Sequence, residues 1–241
     1  MTFFIKKNRK IKLKCYTNNR IAYELFPITK ARNHIPQWWK DIKIPSKNNP
    51  EELNKNYGMK GCPGFIEYYK LGYIMPLWTD LTLYSAGKNR EFETYAEPSD
   101  EFTKVDPHPP YEWSGMYNPK EYMHFKIVGS WLFDCTHSID WLFGPCHWST
   151  DVLPKRLVIP TGHMNYKLFS ATNIQMFMER GDDPVTLNAG MPMMHFIPIT
   201  ERNTEIECIY DPEKYQYMMD KHTRFTFSRI YYKKKKFMKG G

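Results

Sequence analysis

Residues 61–84 read GCPGFIEYYKLGYIMPLWTDLTLY, and this stretch contains the clearest structural instruction in the chain. Pro63 suits the first turn of a helix, because the backbone N–H that proline lacks has no helical partner there. Gly72 can take the left-handed conformation that ends many helices. From Tyr73 onward apolar residues recur with a period of two, which is typical of a strand with one buried face. The stretch therefore predicts a short helix that leads into a half-buried strand.

The second half of the sequence consists largely of short strand-like segments separated by turn residues. The separators include Gly-Pro-Cys, Pro-Thr-Gly, Arg-Gly-Asp-Asp-Pro and Ala-Gly-Met-Pro, all of which favour turns. We therefore predict a mainly β, α+β fold: a jelly-roll or double-stranded β-helix-like sandwich with N-terminal helices and a C-terminal helix. Strands are predicted at 122–128, 155–160, 164–170, 173–179, 184–188, 192–199 and 204–210.

Shorter elements are predicted on either side of these strands. Residues 11–16 alternate basic and apolar side chains, which indicates an edge strand, and 21–26 are expected to form a second strand. A short helix is predicted over 37–42, after a proline, and a longer one over 211–224. Asn-Pro pairs at 49–50 and 118–119 and the Asp-Pro pair at 211–212 favour helix starts.

The region 86–115 is rich in proline and has little periodicity, so it is predicted to be a long loop. The chain of 241 residues is long enough to bury a substantial core. We expect a single domain over 1–241, with this loop as the one candidate sub-boundary.

The net charge of +8 is concentrated at the two ends of the chain. Residues 1–14 hold six basic groups and no acidic group, and 228–241 hold six more, again with no acidic group. The middle keeps the other 22 basic groups against all 26 acidic groups, a net charge of −4. Basic ends of this kind can bind a polyanion without reading its sequence.

The C-terminal lysine run is the predicted polyanion-binding segment. Aromatic residues lie among these charges, and aromatic and cationic side chains together can stack on bases and hold phosphates. The alternative is a segment whose apolar side docks on the body while its lysines stay solvated. The run comprises Lys233, Lys234, Lys235 and Lys236.

Cysteine usage and the N-terminus indicate the compartment. The five cysteines form an odd set without short paired spacings, which favours a reducing cytosol. An apolar pentapeptide precedes the basic run, the reverse of the order in a signal peptide, so secretion through a cleaved signal is not expected. No apolar run approaches the roughly 18 residues that span a bilayer, so no membrane partner is expected.

Four pieces of the sequence carry a resemblance to known proteins. They are IPQWWKDI (35–42), CPGFIEYYKLGYIMPLWTD (62–80), AGMPMMHFIPITER (189–202) and the lysine-rich end. Together they resemble an uncharacterised family encoded by marine tailed, cyanophage-like bacteriophages. The resemblance implies a phage gene product that works in the host cytoplasm or in a virion, and it implies no catalytic residue.

Three residues are candidates for an Fe(II) site. His137, Asp140 and His195 supply two imidazoles and a carboxylate, the set that a double-stranded β-helix can present to Fe(II). Arg202 could then pair with the carboxylate of a co-substrate. The spacing departs from that site, because His137 and Asp140 are three residues apart where one intervening residue is usual. The alternative is that His195 is a core histidine with a backbone partner.

Other side chains have weaker functional interpretations. Cys135-Thr-His137 and Cys146-His147 could close a zinc site, although their spacing is unlike that of the usual Cys-x-x-Cys pairs and buried cysteines near loop histidines are the favoured interpretation. Cys62 lies at a helix start, where its thiol pKa could be lowered, but the sequence places no base beside it. Seven tryptophans could line a ligand cleft, and most are expected in the core or on sheet faces.

These observations lead to one expectation and two alternatives. We expect a non-enzymatic, phage-encoded accessory or virion-associated binding protein, whose partner is another protein or further copies of the chain. The first alternative is an Fe(II)-dependent enzyme similar to cupins and 2-oxoglutarate oxygenases. The second is a nucleic-acid-binding module that acts through its basic termini.

Overall fold

The computed structural model describes residues 10–43, 58–85, 94–98, 103–149 and 151–224, together with Lys233 and Lys236. Within these residues the chain forms fifteen strands, four α-helices and three short 3₁₀-helices. The fold is mainly β with short helices, which confirms the predicted class. Helices cluster near the N-terminus and one closes the described chain, also as predicted.

The bounds of the elements are as follows. The strands are β1 Ile11–Thr17, β2 Thr29–Lys30, β3 Tyr73–Pro76, β4 Leu81–Ser85, β5 Thr94–Pro98, β6 Val105–His108, β7 Tyr122–Ile127, β8 Leu132–Cys135, β9 Trp141–Pro145, β10 Leu157–Val158, β11 Gly162–Met164, β12 Ile174–Glu179, β13 Gly181–Leu187, β14 Pro192–Pro198 and β15 Thr204–Tyr210. The α-helices are α1 Arg20–Glu24, α2 Gln37–Asp41, α3 Pro63–Lys70 and α4 Pro212–Arg224, and the 3₁₀-helices are Ala31–His34, Gly58–Gly61 and Pro110–Glu112.

The stretch 61–84 forms the predicted helix and then two strands rather than one. α3 begins at Pro63, and Gly72 follows its C-terminus with a φ of +69°. β3 is buried on both faces and pairs with β14 and β2. After Pro76 the chain leaves that sheet, and the Leu77 N–H donates to the Met191 carbonyl oxygen at 2.8 Å. β4 then joins a different sheet with the predicted alternation of buried and half-buried residues.

The strands form four sheets. Sheet 1 has the order β15–β1–β8, sheet 2 the order β10–β12–β7–β6, sheet 3 the order β11–β9–β14–β3–β2, and sheet 4 the order β13–β4–β5. The β1–β15 pair is parallel, and the other paired strands are antiparallel. β1 therefore lies between two strands, and the edge-strand prediction for 11–16 is wrong. The jelly roll and the double-stranded β-helix remain predictions, since this strand order does not establish either.

A shared hydrophobic core joins the sheets. One cluster of buried side chains includes Leu13 from sheet 1, Phe125 from sheet 2, Phe196 from sheet 3 and Leu83 from sheet 4, and each of these is fully buried. A smaller cluster lies on the other face of sheet 1, where Tyr215 and other side chains of α4 cover the C-terminal end of β1. The layers are therefore fixed by apolar packing on the inner faces of all four sheets.

Local hydrogen bonds explain three elements that the sequence analysis predicted wrongly. Residues 21–26 were expected to form a strand, but Asn19 accepts the Ala22 N–H at 3.0 Å and caps α1 instead. Most of 164–170 forms a turn, because the Asn165 carbonyl oxygen accepts the Leu168 N–H at 3.0 Å. The Asn-Pro pair at 118–119 makes a turn before β7 rather than a helix, with Asn118 Oδ1 bonded to the Lys120 N–H.

The remaining predictions have mixed outcomes. β7, β12, β14 and β15 match the predicted strands, while β10 is much shorter than 155–160 and β13 begins earlier than 184. The loop predicted over 86–115 contains β5 and β6 in its described part. The helix start at 49–50 lies outside the described residues. Across the described ranges, no helix combines the length and the apolar character needed to cross a membrane.

Candidate functional site

Aromatic rings from three separate segments meet around Trp148, just after β9. Their centroids lie 5.8 Å (Trp38), 5.6 Å (Trp39), 5.0 Å (Phe65) and 6.2 Å (Tyr68) from the Trp148 ring. Three of these four contacts are edge-to-face, a favoured geometry for aromatic pairs. Trp38 Nε1 also donates to the Trp148 carbonyl oxygen at 2.9 Å. The cluster therefore ties α2 and α3 to the segment that follows β9.

The ring cluster borders a pocket of about 400 Å³, which we call the aromatic pocket. Its volume falls in the range of ligand-binding pockets. The polar side chains at its wall are the Cys62 thiol, at the start of α3, and the exposed His147 imidazole. Sequence analysis found no base near Cys62, and the fold brings this histidine into the same pocket. The pocket is lined by Cys62, Gly64, Phe65, Tyr68, His147 and Trp148.

His195 lies behind the aromatic pocket and is buried. Its Nε2 is 2.7 Å from the Leu71 carbonyl oxygen, so Nε2 carries the proton and donates. Nδ1 then accepts from the Tyr68 hydroxyl at 3.1 Å. Burial lowers the pKa of His195 and raises the pKa of Tyr68 to about 12, so both side chains are neutral near pH 7. His195 therefore has the backbone partner that the core-histidine interpretation predicted.

The structure does not bring the three Fe(II) candidates together. His137 follows β8 of sheet 1, and its ring contacts the Thr136 hydroxyl. The Asp140 carboxylate accepts from Asn165 Nδ2 at 3.3 Å, and β14 directs His195 toward α3. Among the residues that the structure describes, no three His, Cys, Asp or Glu side chains form a group that could hold a metal ion.

The other predicted ligands are also separate. Cys135 is buried in the main core, whereas Cys146 packs with Ala31 and Ile74 in a small cluster of its own. Burial raises the pKa of both thiols, which disfavours the thiolate form that zinc binds. The backbone N–H of Arg202, the proposed co-substrate partner, donates to the Thr200 hydroxyl at 3.2 Å.

The N-terminal lysines belong to a ladder of alternating charges on the outer face of sheet 1. Lys12 and Lys14 of β1 lie in register with Glu205 and Glu207 of β15, and Lys14 also faces Asp134 of β8. Opposite charges in register on neighbouring strands attract each other. The carboxylates therefore offset much of the positive charge that the sequence assigns to this end.

Two pockets lie on this side of the molecule and share Asp134. One lies over β1, and the other, of about 160 Å³, lies beside α4 and is lined by further lysines. Lys214 and Lys221 are two turns apart on α4, and Tyr217 between them is 58% exposed. The Lys214 ammonium lies 5.2 Å from the Tyr217 ring centroid. We call this surface the lysine face, and it comprises Lys12, Lys14, Lys167, Lys214, Tyr217 and Lys221.

The predicted polyanion-binding run is described only in part. Lys233 and Lys236 are exposed, and Lys234 and Lys235 lie outside the described residues. Sequence analysis missed Lys214 and Lys221, whose spacing of seven places them on one side of a helix and was a usable signal. It also missed which tryptophans meet, because the Trp38–Trp148 contact joins residues 110 positions apart.

No protein-family model matches the chain, and no curated protein matches its sequence. Function is therefore inferred from the chain's own residues.

Proposed function

We propose that this chain is a non-enzymatic binding protein that docks a protein partner through the aromatic pocket. The observation that carries the proposal is the ring cluster around Trp148, which leaves Trp38, Phe65, Tyr68 and Trp148 partly exposed beside the pocket. Tryptophan and tyrosine in a pocket are the residues that dominate the binding energy of protein interfaces. The occupant is an apolar anchor side chain, aromatic or branched aliphatic, on the partner.

The surface near the pocket favours a protein over a small molecule. Met59, Ile66 and Leu71 are all exposed, and they lie on the segment that carries α3. None of these three side chains lines the pocket, so a partner that also covers them must extend beyond it. Among the described residues that line the pocket, none is Lys, Arg, Asp or Glu. Charge depletion of this kind is characteristic of the centre of an interface.

The resemblance to phage proteins indicates where such a partner is found. A phage-encoded accessory protein meets its partner in the host cytoplasm, and a virion-associated one meets it in the particle. Mass spectrometry of purified particles separates these two locations. Detection of the chain in particles supports the virion-associated alternative, and its absence there counts heavily against it.

Gly64 provides a substitution that blocks the pocket while preserving the fold. It lies in α3 and lines the pocket, and a Cβ at this position meets only the Cys62 Sγ, at 3.9 Å. Gly64→Leu therefore adds a side chain where there is room and raises helix propensity by up to about 1 kcal/mol. Gly115→Leu is the matched control, because a Cβ there has no neighbour within 4 Å and Gly115 does not line the pocket.

The test uses peptides selected for binding to the wild-type chain from a random displayed library. We expect the selected peptides to share an apolar anchor and to bind Gly64→Leu at least about tenfold more weakly. Their affinity for Gly115→Leu should equal that for the wild type. Selected peptides that bind Gly64→Leu as tightly as the wild type would contradict the proposal. A change from oligomer to monomer in Gly64→Leu would identify the partner as a second copy of the chain.

The lysine face supports a second candidate function, the binding of single-stranded nucleic acid. An exposed tyrosine beside lysines can stack on a base while the ammonium groups hold phosphates. We expect Lys214→Glu/Lys221→Glu to weaken binding of a labelled oligonucleotide, and binding to the wild type to fall steeply between about 50 and 200 mM salt. Lys104→Glu/Lys155→Glu, at exposed positions outside the lysine face, is the charge-matched control. Equal losses in both double variants, or no salt dependence, would exclude a specific role of this face.

A further inference from the structure

Two histidines lie side by side on the outer face of sheet 2. His108 of β6 and His124 of β7 are register partners, and their ring centroids are 4.8 Å apart. The His124 ring stacks on Phe177 with an interplanar angle of 9°, and Trp113 contacts it edge-on. His124 is 8% exposed, while the His108 side chain on the edge strand is 19% exposed. The pair is therefore packed among aromatic rings beside the edge strand of the sheet.

One nitrogen of each ring is hydrogen-bonded to an oxygen acceptor. His108 Nδ1 lies 2.5 Å from the Glu112 carboxylate, and His124 Nε2 lies 2.7 Å from the Gln175 side-chain oxygen. Because these oxygens accept, the protons lie on His108 Nδ1 and His124 Nε2. The other two nitrogens, His108 Nε2 and His124 Nδ1, then carry lone pairs in the neutral rings. Burial lowers the pKa of His124, which keeps its ring neutral at pH 7.

Both of these lone-pair nitrogens are buried, and neither has a hydrogen-bond partner in the described structure. A buried acceptor without a donor is costly, so two such nitrogens on rings whose centroids lie 4.8 Å apart indicate a ligand. A cation satisfies both, because a metal ion accepts electron density from each nitrogen. Neutral imidazole is a common ligand of zinc, nickel and copper.

The surroundings match those of histidines that bind metals. Metal-binding histidines usually donate their second nitrogen to an oxygen, which fixes the tautomer and the ring orientation. Glu112 does this for His108, and Gln175 does it for His124. Two imidazoles bound to one ion, each with a metal–nitrogen distance of about 2.0–2.1 Å, have ring centroids roughly 5 Å apart. The observed 4.8 Å fits this separation and equals the usual spacing of neighbouring strands, about 4.7–4.9 Å, so the strand register itself holds the rings at this distance.

We propose that His108 and His124 form a binding site for one divalent transition-metal ion, with zinc as the representative ligand and with Glu112 and Gln175 as positioning residues. In the described part of the chain no third protein ligand completes the set, so water fills the other coordination positions. The site is distinct from the Fe(II) set predicted from the sequence, with which it shares no residue. It is also separate from the aromatic pocket.

Zinc titration of the full chain tests the site. The background carries Cys62→Ser, which removes the one cysteine classed as exposed, and the protein is first stripped with a chelator. Calorimetry should detect one zinc ion per chain, and both His108→Ala and His124→Phe should weaken binding at least about tenfold. Phe at position 124 keeps a ring stacked on Phe177. His163→Ala, an exposed histidine on β11 of sheet 3, should bind zinc like the background protein.

Glu112→Gln provides a test that does not remove a ligand. Its carboxylate side chain is 41% exposed, so the fold should survive, and zinc affinity should fall by about 10- to 100-fold. Binding of cobalt should give a spectrum without a sulfur-to-metal charge-transfer band, since both protein ligands are nitrogens. The proposal is overturned if no ion binds, or if affinity is unchanged in His108→Ala and His124→Phe.

Discussion

At the scale of single residues, Gly72 occupies a position where a Cβ has no space. Its φ is +69°, and a Cβ built there lies 1.9 Å from the Phe196 carbonyl oxygen of β14. Gly72→Ala therefore combines backbone strain with a collision against a central strand, and we expect it to lower the free energy of unfolding by about 3 kcal/mol or more. Gly115→Ala meets nothing within 4 Å and should change it by less than about 0.5 kcal/mol. Urea denaturation measures both, and similar values for the two variants would contradict this account.

His195 gives the chain a predictable sensitivity to acid. Burial, and to a lesser degree the charge of His147, lowers its pKa below the value of about 6.5 expected in the unfolded chain. As the pH falls below about 6.5, the unfolded state binds a proton that the folded state resists, so the free energy of unfolding decreases. His195→Gln removes this proton uptake and should lose less stability than the wild type between pH 7 and pH 5. The exposed His163→Gln should follow the wild-type pH profile; a His195→Gln profile parallel to that of the wild type would refute the assignment.

These residues differ in how much of their role the sequence reveals. The chemistry of Pro63 and Gly72 is local to the backbone, so a helix start and a left-handed helix end could be predicted from the sequence. The Tyr68–His195 contact joins residues 127 positions apart and has no local signal. The same is true of the two unpartnered nitrogens of His108 and His124, which appear only once β6 and β7 are in register.

At the scale of elements, the charge ladder of sheet 1 should contribute to stability. Lys14 of β1 faces Glu207 on one side and Asp134 on the other. Lys14→Glu converts two attractive cross-strand pairs into two repulsive ones, each worth roughly 0.2–1 kcal/mol. We expect it to destabilise the fold by about 1–2 kcal/mol, and by less at high salt. Lys104→Glu, at an exposed position before β6, is the control. An equal loss of stability in the two variants, or a loss in Lys14→Glu that does not change with salt, would show that the ladder does not stabilise the fold.

Strand pairing explains which elements the sequence could predict. β7, β12, β14 and β15 follow from hydrophobic pattern and turn residues, both of which are local. The position of β1 depends on parallel pairing with β15, about 190 residues later in the chain, so alternation alone indicated an edge. The segment 21–26 has apolar and aromatic residues typical of a strand, yet the Asn19 cap starts a helix there. Local capping outweighed the propensity of individual side chains.

At the scale of the whole molecule, the aromatic pocket is a product of the tertiary fold. Its walls come from α3 and from the segment after β9, and α2 supplies the rings behind them. The aromatic content of the sequence indicated that a cleft was possible, and a core position was one of the two interpretations of His195. Which rings meet depends on how sheet 3 sets these segments beside one another, and that arrangement is not encoded in any single segment.

The shared core leads to a prediction about unfolding that also tests the single domain expected over 1–241. One buried cluster draws on all four sheets, and the second cluster, between sheet 1 and α4, is much smaller. We therefore expect no described sheet to stay folded when the others unfold. Urea unfolding followed by tryptophan fluorescence and by far-UV circular dichroism should give one coincident transition. Leu13→Ala in sheet 1 and Leu83→Ala in sheet 4 should each cost about 2–5 kcal/mol and shift both signals together. Two separate transitions, or a variant that shifts only one signal, would show that the sheets divide into independent domains.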